Sequence, residues 1–156
     1  MKVELWLVGK TDRPYLKRGI DIYRERLSRY LPFSLVVIDE AAKGKKDPAR
    51  RLQMEGEKVL SRIKAGDFLI LLDSRGRQFS SEGFAEYMER LLRQSHRRIV
   101  FLVGGAYGFS EAVYKRSDAQ VSMSRMTFSH QMIRLFFLEQ LYRAMTILKN
   151  EPYHNR

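Results

Sequence analysis

Ile99-Val100-Phe101-Leu102-Val103-Gly104-Gly105-Ala106-Tyr107-Gly108 is an apolar run that stops abruptly on a pair of glycines. Five consecutive large apolar residues with no polar alternation are what a strand needs when helices cover both faces of a parallel sheet. Phe68 to Leu72 repeats the pattern, and Asp73 is expected to end that strand. Outward from these two, residues 2 to 8, Phe33 to Ile38 and Ala119 to Ser122 read as further strands. Between them lie segments of helical spacing. Pro14 opens one that carries Leu16, Ile20, Tyr23, Leu27 and Leu31, and Asp47-Pro48 opens another, reaching about Lys64. Ser80 or Ser81 caps a third, with Phe84, Tyr87, Met88, Leu91 and Leu92, and a short fourth follows Ser110. The last runs from about Ser129 to Lys149. Strands alternating with helices predict an α/β fold with a mostly parallel sheet flanked by helices, as a single domain over residues 1–156.

The last predicted helix is apolar around much of its circumference: Ile133, Leu135, Phe136, Phe137, Leu138, Leu141, Ala144, Met145, Ile147 and Leu148 exceed the single stripe of a surface helix. One face suits the sheet; the second most simply meets the same helix of another copy in a symmetric homodimer, the alternative being a helix buried within its own monomer.

The 156 residues hold 29 Lys plus Arg against 18 Asp plus Glu, a formal charge of +11, and no cysteine. Thiolate metal sites and cysteine nucleophiles are thereby excluded, and a reducing, cytoplasmic setting fits. No apolar run reaches the roughly 20 residues of a membrane span, and neither a signal peptide nor a membrane is expected. Such a positive surplus attracts phosphate polyanions through counterion release, so RNA or DNA heads the partners. The basic face Lys17, Arg18, Arg24 and Arg29, the run Lys43-Gly44-Lys45-Lys46 with Arg50-Arg51, and Arg97-Arg98 are the candidate phosphate contacts.

Three stretches carry chemistry. The glycine cluster Gly104 to Gly108 lies beyond a strand end, where open α/β sheets place ligands, and reads either as a ligand loop or as a tight turn. It matches neither a dinucleotide fingerprint nor a P-loop. Ser122-Met123-Ser124-Arg125-Met126-Thr127-Phe128-Ser129-His130-Gln131 alternates polar and apolar residues and could enclose an adenine, or simply connect, with Ser129 as helix cap. The end, Pro152-Tyr153-His154, is either a mobile tail or one that orders against substrate or partner, with Arg143 upstream as a candidate phosphate or carbonyl ligand. His96, His130 and His154 are too scattered for a metal site, and no G-x-S-x-G elbow is present.

Taken together, Val103 to Gly108, Ser122 to Gln131, Glu139-Gln140-Leu141-Tyr142-Arg143-Ala144 and Pro152-Tyr153-His154 resemble the RlmH family, with Val8-Gly9-Lys10, Glu55-Gly56-Glu57 and Leu72-Asp73 matching in order. These are small SPOUT-superfamily methyltransferases that methylate N3 of a pseudouridine in bacterial 23S rRNA. One departure is Ser129, where relatives carry proline before the histidine. The resemblance implies a SPOUT-type fold with a C-terminal trefoil knot, a homodimer through the C-terminal helices, and S-adenosylmethionine (S-adenosyl-L-methionine) held by Leu72, Gly104, Gly105, Met123, Ser124, Arg125, Met126, Thr127 and Phe128. His130, Arg143, Tyr153 and His154 are then the substrate-side residues, with the tail completing the opposite subunit's site. Among these, His154 is the expected base, because an ordinary imidazole (about 6.5) is largely neutral at pH 7 whereas a phenol (about 10) accepts a proton poorly. The chain has no recognisable appended RNA-binding domain, so the expected partner is 23S rRNA in the assembled ribosome. A tRNA target, or an RNA-binding module without activity, remains compatible with composition alone.

Overall fold

A computed structural model describes residues 1–41 and 47–155, so the expected contacts at 43–46 and Arg156 lie outside the described residues. The chain runs β1 (Lys2–Val8), α1 (Pro14–Ser28), β2 (Phe33–Ile38), α2 (Pro48–Arg62), β3 (Asp67–Gln78), α3 (Ser81–Arg93), β4 (Arg98–Val103), α4 (Glu111–Arg116), β5 (Ala119–Ser122) and α5 (Met132–Leu148). The five strands are all parallel, in the order β2-β1-β4-β3-β5, with Leu5 aligned to both Leu35 and Phe101.

Local chemistry sets most boundaries. Pro14 occupies the first turn of α1, Asp47 Oδ1 accepts from Ala49 N at 3.1 Å, Ser80 Oγ from Gly83 N at 3.0 Å and Ser110 Oγ from Val113 N at 3.3 Å. Strand side chains alternate between two cores. Leu5, Leu7, Ile70, Leu72, Phe101 and Val103 face α1, α3 and α5, whereas Trp6, Val8, Leu69, Leu71, Val100 and Leu102 face Val59 of α2 and Val113 of α4. Steps from β1 to β2 and from β3 to β4 run toward one edge and carry α1 and α3 on one face. Steps from β2 to β3 and from β4 to β5 run the other way and carry α2 and α4 on the opposite face. Right-handed crossovers require this alternation.

Three expectations change. The third strand does not end at Asp73: after a register shift between Leu72 and Arg77, Arg77 and Gln78 pair with Val121 and Ser122. Gly76 permits this, since a Cβ there would stand 2.6 Å from the Gln120–Val121 backbone. Helix α5 begins at Met132 rather than Ser129, although Ser129 Oγ still accepts from Met132 N at 3.1 Å. The second apolar face of α5 is largely covered within the chain, because Ile133, Leu135, Tyr142, Ile147 and Leu148 pack half-buried beside α1 and α3. Leu135 closes onto Gly19 of α1, where a Cβ would meet it at 2.9 Å. Phe136 of α5 and Tyr15 and Ile22 of α1 stay exposed.

From β5, at the sheet edge, the chain returns across the carboxyl ends of β3 and β4 to β1, a span of about 14 Å at normal strand spacing. Arg134 anchors the arrival. It is fully buried, donating to the Val8 and Gly9 carbonyls at 2.9 Å each, to His130 O at 3.1 Å and to Thr11 Oγ1 at 3.2 Å. Gln131 adds two bonds, accepting from Asp12 N and donating to Lys10 O.

At the opposite end of the sheet Arg98 bonds both Glu4 (3.1 Å) and Asp67 (3.0 Å) and lies over Trp6, with Arg97 also on Asp67. Burial alone raises the Asp67 carboxyl, but hydrogen bonds from Arg98 and Lys64 N and the charges of Arg98 and Arg97 outweigh it and hold it below its ordinary value. A carboxyl depressed in the folded state stabilises the fold above the unfolded value near about 3.9, and that stability is lost as pH falls through the folded value. Thermal unfolding between pH 6 and 2 is therefore expected to show a steep acid loss that flattens in D67N. Parallel curves for the two proteins would remove Asp67 from that role.

Candidate active site

A cavity of about 450 Å³ opens at the carboxyl ends of β3, β4 and β5. Its wall contains Leu72, Gly104, Gly105, Met123, Ser124, Met126, Thr127 and Phe128 of the expected cofactor set, joined by His130. Arg125 is exposed and is not part of that wall. The glycine cluster is both a turn and a wall. Gly108 N donates to Gly105 O at 3.2 Å, Gly108 takes φ +84°, and a Cβ on Gly104 would stand 2.8 Å from Gly108 O. Replacing Gly104 by alanine is expected to open this turn and weaken cofactor binding at least tenfold, read by calorimetry; an unchanged Kd would show that the turn does not shape the site.

Asp73, Arg75 and Tyr114 also line the cavity. Burial raises the Asp73 carboxyl, while bonds from Arg75 N (2.9 Å) and the Tyr114 hydroxyl, with the charge of Arg75, lower it further, so it stands as an anion in the wall. A carboxylate beside apolar Leu72, Met123, Phe128 and Ile133 suits a ligand with an aromatic ring and positive charge, and S-adenosylmethionine is such a ligand. In the sequence Asp73 reads as the end of a strand and as part of the Leu72-Asp73 match, with no role in the site assigned to it. Arg134 was missed, although a lone arginine in Met-Ile-Arg-Leu-Phe-Phe-Leu, four residues before Leu138 and seven before Leu141, sits at core spacing.

The other expected residues form a separate cluster. Arg143 lies 11 residues into α5, about 16 Å along its axis from Met132, away from His130. Arg143 Nη1 donates to His154 Nδ1 at 3.1 Å, Arg143 Nε to Glu139 Oε1 at 3.0 Å, and His154 Nε2 meets Glu82 Oε1 at 2.9 Å. Because a guanidinium only donates, Nδ1 is the acceptor and Nε2 carries the proton given to Glu82. The Tyr153 ring packs edge-on to Tyr142 at 4.8 Å under the Arg143 guanidinium, and its hydroxyl meets that of Tyr23 at 3.2 Å. Burial first, then the Tyr23 hydroxyl and the Glu139 charge, pushes the Tyr153 phenol well above its usual value. Glu139, through its hydrogen bond, raises Arg143.

The tail is thus docked on its own chain. Asn150 takes φ 55°, Glu151 N returns to Thr146 O at 2.9 Å, and Tyr30 donates to Glu151, which pushes the Tyr30 phenol up to about 12. Among the described residues no three His, Cys, Asp or Glu gather as a metal site, and no helix is long and apolar enough to cross a membrane.

A family model described as predicted SPOUT methyltransferase matches residues 1–154. A protein from Christiangramia forsetii named ribosomal RNA large subunit methyltransferase H is 51% identical over the whole of both chains. Proteins of the same name from Flavobacterium johnsoniae and Syntrophotalea carbinolica are 48% and 46% identical, again over all of each chain. The path across the strand ends, the cavity beneath it and these full-length similarities agree: the chain belongs to the SPOUT methyltransferase family, with that family's knotted α/β fold and S-adenosylmethionine as methyl donor.

Proposed function

We propose that this protein methylates N3 of a pseudouridine in 23S rRNA of the assembled ribosome, in the cytoplasm and as a homodimer. The observation that carries the target is end-to-end similarity to proteins named as large-subunit rRNA methyltransferases. A charge of +11 supports an RNA partner.

When bound at the cavity, S-adenosylmethionine supplies an electrophilic methyl group. The chain has to place the nucleophile in line, remove the N3 proton and steady the charge left on the imide oxygens. Leu72, Met123 and Phe128 would offer apolar surface to the donor, Gly104 and Gly105 would let it approach the backbone, and Asp73, which pairs with Arg75 in the same wall, would supply a carboxylate near its positive charge. Arg143 is the donor to the imide oxygens and His154 the base, since Tyr153 is held far from ionisation. His130 positions the base at the cavity.

The separation of the two clusters supports the homodimer. Within one chain the cavity and the Arg143–His154 cluster are separated along α5, and His154 has its basic nitrogen engaged by Arg143. Phe136, Tyr15 and Ile22 are exposed apolar surface available to a second copy, and the proposed dimer is one in which the tail of each copy completes the cavity of the other.

The test is transfer of labelled methyl to ribosomes lacking the modification, with naked rRNA and tRNA alongside and the product nucleoside identified by mass spectrometry. The proposal expects methylpseudouridine in the large-subunit RNA of ribosomes. Label in tRNA alone would overturn the target.

A further inference from the structure

Among the described residues, neither the basic face of α1 nor Arg50-Arg51 borders the cavity. The extension of β3 does, and it carries arginines in an unusual setting. Arg75, in the cavity wall, holds its guanidinium 5.2 Å from the Tyr114 ring centroid. Two residues on, Arg77 lies 4.6 Å over Phe79. Phe79 contacts Tyr87 at 4.9 Å between centroids, and Arg90 of α3 stands 5.8 Å from Tyr87. Two neighbouring rings, Phe79 and Tyr87, are therefore flanked by guanidinium groups, Arg77 on one side and Arg90 on the other, and Arg75 two residues before Arg77 is in the cavity wall. Nearby carboxylates go to other arginines: Glu89 pairs with Arg93 and Asp118 with Arg116. Arg77 and Arg90 are both exposed.

A guanidinium resting on an aromatic face keeps its donor fork and gives up less side-chain freedom when it binds phosphate. Tyr87 and Phe79 add ring surface against which an unpaired base can stack. The position fits as well. Gly76 draws the extension against β5, whose last residue, Ser122, leads into the cavity loop, so the stripe is fixed relative to the methyl donor.

We propose that Arg77, Arg90 and the rings of Phe79 and Tyr87 form the docking stripe for the target RNA strand, with Arg75 at the cavity end, and that the two exposed arginines bind its phosphates. This rests on the rRNA reading above and names the surface that reading lacks.

The test uses the full-length protein and large ribosomal subunits lacking the methyl group, titrated across 50–300 mM KCl. Loss of two phosphate contacts in R77A/R90A is expected to reduce the slope of log K against log salt by about 1.5–2 and to lower affinity at least tenfold near 100 mM. S-adenosylmethionine binding, measured by calorimetry, is expected to stay unchanged, which shows that the variant is folded. R77K/R90K should restore much of the salt slope but not all of the affinity, since lysine lacks the stacked fork. Unchanged affinity and slope in R77A/R90A would overturn the stripe. So would an equal loss in R24A/R29A, which would place the phosphate face on α1. If wild-type protein neither binds nor methylates the subunits, the rRNA reading fails, and the stripe with it. If wild type does both and R77A/R90A matches it, the stripe alone fails.

Discussion

Arg143→Ala is expected to slow methyl transfer by about 10²- to 10³-fold in single-turnover experiments, while the Kd for S-adenosylmethionine stays within about twofold. The magnitude is that of removing one preorganised donor to developing negative charge. The separation of binding from chemistry comes from the structure: Arg143 sits with Glu139 and His154, and outside the cavity wall. His154→Ala should give a loss of about 10²–10⁴-fold with the same unchanged Kd, as for a positioned base. The two substitutions should not add, since Arg143 and His154 are hydrogen-bonded and act as one unit. Equal transfer rates in wild type and H154A would remove His154 from the reaction. A Kd change as large as the rate change would mean that the cluster supports the donor site instead. Mixing R143A protein with a variant damaged only in the cavity, such as G104A, tests the dimer separately. Recovered activity in the mixture shows that one subunit supplies the tail and the other the cavity.

Arg134→Ala is the second large effect, this time on stability: about 3–5 kcal/mol lost, read from the midpoint of urea unfolding. Truncation leaves the Val8, Gly9 and His130 carbonyls without their donor and a void the size of the side chain in the interior. Burial lowers the pKa of this guanidinium, and the acidic Asp12 and Glu40 offset part of that. Arg134→Lys should recover only a fraction, because an ammonium cannot span acceptors set out for a planar fork. The loop from Met123 to Gln131 ends at this anchor, so R134A should also weaken S-adenosylmethionine binding by about tenfold at temperatures where it is still folded. A stability loss below 1 kcal/mol would show that the chain crosses the strand ends without needing this anchor.

Much of the architecture is legible in the residues. The order of strands and helices, the capping at Asp47, Ser80 and Ser110, the turn at Gly104 to Gly108 and the apolar strands covered on both faces could be read directly. Each depends on hydrogen bonds within a few residues or on a simple alternation of side chains. The cavity wall was recognised by resemblance to a family, and the structure brings eight of the nine expected cofactor residues into one wall, leaving Arg125 outside.

Other features had no local signature. Asp73 seemed to end its strand because an acidic residue followed five apolar ones, yet Gly76 lets the chain continue along β5. A helix apolar on several sides suggested a partner copy, but α1 and α3 flank α5 and cover most of it. His130 and His154 are both expected on the substrate side, with the tail reaching the opposite subunit's site, and only the tertiary structure separates them within one chain: His130 in the cavity wall, His154 with Arg143 farther along α5. Composition and periodicity by themselves determined a basic, cysteine-free α/β domain with its elements in this order. Only the tertiary structure decided that the segment after β5 recrosses two strand ends, that Arg134 bonds a carbonyl 125 residues away, and which arginines stand beside the cavity. Those outcomes are contacts between distant parts of the chain, whose free energy exists only once the sheet has formed, and no spacing of neighbouring residues encodes them.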